Sequence, residues 1–256
     1  MPRFKLRQTV ELLYLLVMKE LKVRYKNSVL GYLWALANPF AFAFTYWFAF
    51  KFVMRVQMEN YSVFLIAGMF PWIWLSVGIT QATRSFHNNV SLVKKVRLDR
   101  RILPLSNAVQ EMVHFLFALP VLLGFLVFAG KVSYLSWLWQ IPLMIGVQLF
   151  FVYPLASIFA LANVFVHDVE YLVGIAFSLL FFAMPMVYPP EMVPAEYRIY
   201  FEANPLNALI QGWRAVLLDG AVNGQYLLYV LACGVVFSLI AIWAYRRYEP
   251  RIVEML

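Results

Sequence analysis

From Ser62 to Thr83 the chain carries no charged side chain, and the same holds from Leu33 to Phe50 and from Val132 to Val166. A helix needs roughly 20 consecutive apolar residues to cross the hydrocarbon core of a bilayer. Inside that core every backbone N–H and C=O must find its partner within the chain, and a run of this length does so as a helix. The composition agrees: 63% of the 256 residues are hydrophobic and 13% charged, with a mean hydropathy of +0.73. Soluble domains carry about 25% charged residues. The chain therefore reads as an all-α integral membrane protein, one transmembrane domain over residues 1–256.

Six spans are predicted. The first covers Leu33–Phe50 and continues through Phe52 to Met54; the second is Ser62–Thr83; the third is Leu103–Gly130, with Glu111 and His114 near its start. Val132–Val166 is too long for one crossing, so it divides into an interfacial lead-in, "VSYLSWLWQ", and a fourth span from about Ile141. Tyr171–Tyr188 and Tyr226–Tyr245 complete the set. An even number of spans puts both termini on one side. That side receives 16 of the 21 Lys and Arg residues: 7 before Leu33, 6 within Arg84–Arg101 and 3 at the C-terminus. The other side holds Lys51, Arg55, Lys131, Arg198 and Arg214. Basic residues are retained on the cytoplasmic side, so both termini are placed there. The net charge of +8 has the same origin and does not call for nucleic acid.

Three segments outside the spans have patterns of their own. Residues 1–30 look superficially like a signal peptide, but the apolar run Leu12–Met18 is short and no small-residue cleavage site follows. Leu6, Val10, Leu13, Val17 and Leu21 fall at helical spacing instead, as in a retained helix lying in the cytoplasmic interface. Residues 84–102 contain "NNVSLVKKVRLDRRILPLS". Val90, Leu92, Val93 and Val96 supply an apolar side, with Lys94, Lys95, Arg97, Arg100 and Arg101 at its rim. Such a segment suits a cleft on another protein, and a plain basic loop is the simpler alternative. Residues 189–223 form an external cap, "PPEMVPAEYRIYFEANP", followed by "NPLNALIQGWRAVLLDG". In the latter Leu206, Leu209, Ile210, Trp213, Val216 and Leu217 lie on one helical face. Asn204-Pro205 forms a start signal and Gly220 a stop. A helix dipping back into the outer leaflet fits this pattern.

Chemistry motifs are missing. There is no G-x-x-x-x-G-K-[ST], H-E-x-x-H, C-x-x-C or G-x-S-x-G. The single Cys233 excludes an internal disulfide and a thiolate metal site, and His87, His114 and His167 are scattered. No catalytic or metal-binding residue is assigned. Glu111 and His114, at i and i+3, can pair in a structural role. The span centres lack acids and bases, which argues against a proton- or sodium-driven carrier. What they hold is aromatic: "PFAFAFTYWFAF" and "FSLLFFAMPMVY". Pyranose rings have apolar C–H faces that stack on such side chains. Phe40, Phe44, Trp47 and Phe48 share one helical face, while Phe42, Tyr46 and Phe50 cover another. Together with Phe177, Phe181 and Tyr188 the first group forms a candidate channel lining. Which face lines a pore stays open, and lipid-facing bulk is the rival reading for any single ring.

Three separated stretches resemble one family, the membrane subunit of type 2 ABC exporters for lipid-linked polysaccharides of the O-antigen, capsule or teichoic acid class. "VRYKNSVLGYLWALANP", Val23–Pro39, is similar to its opening into the first span. "NNVSLVKKVRLDRRILPLS" is similar to its coupling loop, with Leu98-Asp99 where a proline before the arginine is more usual. "NPLNALIQGWRAVLLDG" resembles its re-entrant external helix. The resemblance implies a bacterial inner-membrane location and a working unit of two copies of this chain with two separate ATPase subunits. Those subunits bind the ATP and Mg, and this chain holds no cofactor. It also implies a lipid-linked substrate whose anionic head arrives at the cytoplasmic interface. There Lys22, Arg24, Tyr25 and Lys26 precede Gly31, as head-group ligands or as membrane anchors. Two other readings stand beside this one: an exporter of a drug or small lipid, and a membrane scaffold with no transport path.

Overall fold

The computed structural model describes residues 6–26, 28, 31–53, 55, 58, 60–96, 98–130 and 134–256. Every regular element among them is helical. In chain order they are α1 (Leu6–Tyr25), α2 (Trp34–Phe48), α3 (Tyr61–Thr83), α4 (Ser85–Asn88), α5 (Val90–Lys95), α6 (Ile102–Phe128), α7 (Tyr134–Phe165), α8 (Val169–Ala183), α9 (Ala195–Glu202), α10 (Pro205–Arg214), α11 (Gly224–Tyr248) and α12 (Ile252–Met255). A π-helical turn continues α2 over Ala49–Val53, and another continues α10 over Ala215–Asp219.

Four stretches among the described residues are long and apolar enough to cross a membrane: Tyr61–Thr83, Ile102–Phe128, Leu135–Phe165 and Gly224–Met255. Where the other two spans were expected stand α2 and α8, of 15 residues each. At 1.5 Å per residue these are about 22 Å long. Met54, the expected end of the first span, lies outside the described residues. The expected division of Val132–Val166 is corrected. Residues 134–140 of the lead-in are the first part of α7, which runs for 32 residues, while Val132 and Ser133 lie outside the described residues. Side-chain hydrogen bonds hold that end. Trp137 Nε1 donates to the Val216 carbonyl and Gln140 Nε2 to the Gly220 carbonyl, both at 2.9 Å.

Helix α3 is apolar over most of its circumference, as befits a helix surrounded by others, with Ser76, Thr80 and Gln81 as exceptions, and α2, α6, α7, α8 and α10 pack against it. A buried amide ties this centre together. Gln148 of α7 donates to the Pro71 carbonyl of α3 at 2.9 Å and accepts from Trp213 Nε1 of α10 at 2.5 Å. Both ends of the side chain are satisfied, which a fully buried amide requires.

A second apolar cluster gathers at one end of the bundle. It joins Leu16 of α1, Phe86 and Val93 of the 84–102 segment, the α6 start at Ile102 and Leu103, the α7 end at Leu161 and Val164, Tyr245 of α11 and Ile252 of α12. These are the segments that the charge count places together. The opposite end holds the Trp137 and Gln140 contacts and a bond from Tyr61 Oη to the Val187 carbonyl at 2.5 Å. Of the predicted stripe of α1, Val17 and Leu21 are buried, Leu13 is half-buried and Val10 is exposed.

Helix α10 starts where its signals lie. Asn204 Oδ1 accepts from the Leu206 N–H at 3.0 Å, Pro205 opens the first turn, and Gly220 adopts φ +66° past the end. All six residues of its expected apolar face are buried. Its last residue, Arg214, is buried too. The guanidinium lies 3.6 Å from the Phe64 ring centroid and donates to the Pro185 carbonyl at 2.7 Å and the Met186 carbonyl at 2.9 Å. Gly68 of α3 makes the space: a Cβ there would sit 2.6 Å from Arg214 Nη2.

Candidate functional site

Between α2, α3 and α8 lies an open groove of about 420 Å³. Its walls are rings. Tyr46 stands 5.3 Å from Phe181, and Trp72 stands 5.8 Å from Phe177 and 6.0 Å from Phe181, centroid to centroid. Phe42 and Phe182 extend the wall, and none of the lining residues is charged. A polar stripe runs along the α3 side: Ser76, Thr80 and Gln81, with Ser178 facing from α8. The three hydroxyls donate to their own helices, Ser76 to the Trp72 carbonyl, Thr80 to Ser76 and Ser178 to Gly174, at 2.7 to 2.9 Å. Back-bonding of this kind occupies the donor and leaves the oxygen lone pairs open. The groove thus offers π faces and acceptors, a surface matched to the C–H faces and hydroxyl donors of a sugar.

Of the expected lining residues, Phe177 and Phe181 border this groove, and those of α2 lie elsewhere. Phe40 packs edge-on against Phe70 at 5.4 Å, and Trp47 against Phe52 at 5.1 Å, while Phe44 and Phe48 are exposed outside the groove. Tyr188 bonds the Phe182 carbonyl at 3.3 Å and also lies outside. The face that lines the groove is that of Phe42 and Tyr46, while Phe40 is turned to Phe70 of α3 and Phe44 and Phe48 are turned away from both. Trp72 and the polar stripe were missed. Their signal was present: Ser76, Thr80 and Gln81 share one face of an otherwise apolar helix.

The 84–102 segment folds as α4, a turn at Asn89, and α5. Val93 is buried, Val90 and Leu92 half-buried, and Lys94, Lys95 and Val96 exposed. Arg97 lies outside the described residues. Arg100 and Arg101 are turned inward rather than standing at a free rim: Arg100 donates to the Glu249 carbonyl at 2.8 Å, and Arg101 is 3.8 Å from the Glu249 carboxylate. The segment is stapled on its other sides too. Lys19 of α1 bonds Asn89 at 3.1 Å, Arg84 pairs with Glu170 at 3.2 Å, and the His87 and His167 rings stand 4.2 Å apart. The 84–102 segment is thus in contact with α1, the α7–α8 turn and the C-terminal residues.

The sequence model of the ABC-2 type transporter family matches residues 11–218. The chain belongs to this family. Among relatives of this ABC-2 type transporter, an O-antigen export system permease protein RfbA of Klebsiella pneumoniae is 38% identical over 254 residues, covering 99% of this chain and 98% of the relative. The protein of the same name from Myxococcus xanthus is 30% identical over 239 residues, covering 91% and 89%. The polysialic acid transport protein KpsM of Escherichia coli is 23% identical over 244 residues, covering 94% and 93%.

The ABC-2 type transporter also places the basic residues ahead of its first apolar run. Lys22 and Lys26 are exposed, the side chain of Tyr25 lies outside the described residues, and Gly31 has φ +48°, a backbone state that favours glycine. Arg24 is engaged within the protein. It donates to Glu111 Oε1 of α6 at 2.5 Å and lies 3.2 Å from His114 Nδ1, which is itself 3.2 Å from Glu111 Oε2. Glu111 is buried, whereas Arg24 is 38% exposed. Removing one partner of a buried pair strands the other, and the exposure of Arg24 moderates that cost. Arg24→Ala should lower stability by about 1–3 kcal/mol, and adding Glu111→Gln should recover part of the loss. Thermal unfolding of both single variants and the double gives the coupling. Strict additivity would refute the pairing and return Arg24 to a head-group role.

Proposed function

We propose that this chain is the membrane-spanning subunit of an ATP-driven exporter that moves a lipid-linked polysaccharide of the O-antigen class across the bacterial inner membrane. The uncharged, ring-walled groove carries this reading, and the names and near-complete overlap of the relatives support it. In the proposed layout α2 with its π-helical turn, α3, α6, α7, α8 and α11 form six spans of a single transmembrane domain. Both termini and residues 84–102 are cytoplasmic, residues 1–30 lie in the interface, and residues 189–223 form the outer cap with α10 re-entrant. The outward faces of α2 and α8 expose Phe44, Phe48, Ile175 and Leu179 beside the groove. A second copy set against these faces would join two grooves into one channel. Two ATPase subunits, holding the ATP and Mg, would grip α5.

The reading is tested in the host. Deleting the chain should abolish surface polysaccharide and leave lipid-linked polymer on the cytoplasmic leaflet. Normal surface polymer with a lost drug tolerance would point instead to a small-molecule exporter. Charge reversal at the exposed α5 lysines, Lys94→Glu with Lys95→Glu, should weaken ATPase co-purification roughly 10-fold, the equivalent of 1.4 kcal/mol. Undiminished association in this variant would remove α5 from the contact.

A further inference from the structure

A second cavity, of about 250 Å³, lies between α7 and α11, apart from the groove. Phe150, Pro154, Ala241 and Ile242 form its apolar walls, and Tyr153, Ser157, Tyr245 and Arg101 its polar end. The two helices close the far end by tight packing, since a Cβ on Gly234 would sit 2.7 Å from the Phe150 ring. From Phe150 to Ser157, and from Ser238 to Tyr245, the cavity runs about 10 Å along the helix axes at 1.5 Å per residue. Arg101, Ser157 and Tyr245 gather at the end nearer the helix termini, and Phe150 with Ser238 marks the end toward mid-helix, so polarity falls along the cavity as it does along a lipid within one leaflet. Tyr245 is 1% exposed, yet its hydroxyl has no hydrogen-bond partner among the described residues, and neither does Arg101 Nε. The Arg101 guanidinium sits 5.6 Å from the Tyr245 ring centroid. Buried polar atoms are nearly always bonded, so two donors at one end of an apolar cavity call for an acceptor oxygen.

We propose that this cavity binds the ester-proximal part of one acyl chain of a zwitterionic glycerophospholipid, with an ester or phosphodiester oxygen accepting from Tyr245 Oη and Arg101 Nε and the rest of the chain passing out over the exposed edge of Ile242. Charge selects this class over a diphosphate-linked carrier. Arg101 is already balanced by Glu249 at 3.8 Å and Asp99 at 4.0 Å, which leaves no surplus positive charge for a polyanion. The site is independent of what the groove carries. It is placed where the 84–102 segment and the C-terminus leave the bundle, and an occupant would brace both.

The test uses the full chain, purified from membranes with the subunits that stay bound and titrated with phosphatidylethanolamine or with undecaprenyl diphosphate. Native mass spectrometry counts the lipids retained, and thermal unfolding reports their binding. The wild type should retain one phosphatidylethanolamine per chain more than Ala241→Phe, which fills the cavity. Tyr245→Phe, which keeps the shape and deletes only the hydroxyl, should bind about five-fold more weakly. Equal retention by wild type and Tyr245→Phe would overturn the site. Preferential retention of the diphosphate by the wild type would overturn the phospholipid assignment.

Discussion

Gly68→Ala is expected to destabilise the protein by about 2–4 kcal/mol, far beyond the usual effect of one added methyl group. The new Cβ would lie 2.6 Å from Nη2 and 3.0 Å from Nε and Cζ of Arg214. A long side chain usually swings away from such a clash. This one is held between two carbonyls and the Phe64 ring, so moving it leaves the carbonyls of Pro185 and Met186 without their donor inside the protein. Arg214→Lys should be intermediate, because an ammonium cannot reproduce the planar fork that reaches both acceptors. In Gly68→Ala with Arg214→Met the clash is gone, so the double variant should lose less than the sum of the singles. Unfolding temperatures in one detergent decide the matter. A Gly68→Ala protein that melts with the wild type would show that the guanidinium has room to spare.

The largest functional effect is expected from the groove. Stacking of one ring is worth about 0.5–1.5 kcal/mol, so Tyr46→Leu, Phe177→Leu or Phe181→Leu alone should slow export only a few-fold. The triple variant should lose at least about 10-fold. Its membrane insertion and ATPase co-purification should stay intact, because the substitutions keep the groove apolar. Photocrosslinkers at Tyr46 and Phe182 should capture glycan during export. Capture of acyl chains alone at both positions would make the groove a lipid-facing surface.

The apolar runs made the helices legible, and Asn204, Pro205 and Gly220 marked the limits of the helix between cap and last span. Period and capping are local properties, and for those the residues themselves suffice. What they did not reveal was rotation and partnership. Helix α2 carries aromatics on every side, so its periodicity does not distinguish the face of Tyr46 from that of Trp47; only the packing of α3 against it does. Arg24 read as a free cation because its partner, Glu111, is distant in sequence, and Arg101 read as a rim residue because Glu249 is more distant still. The start of α7 is held by the carbonyls of Val216 and Gly220, partners that no local pattern displays.

The three aliphatic hydroxyls of the groove have consequences for the traffic through the proposed channel. Each has its proton turned to its own helix, so donors toward a passing sugar come only from the Tyr46 hydroxyl and the Gln81 amide. The wall can accept hydroxyl protons at many positions and can cushion ring faces of either orientation. It has few fixed directions with which to hold one residue in register. Motion past it meets low friction, and an epimer should glide as easily as the sugar it replaces. In the proposed exporter this groove would suit a polymer whose repeat unit changes, with fidelity left to the enzymes that build the polymer rather than to the passage that releases it.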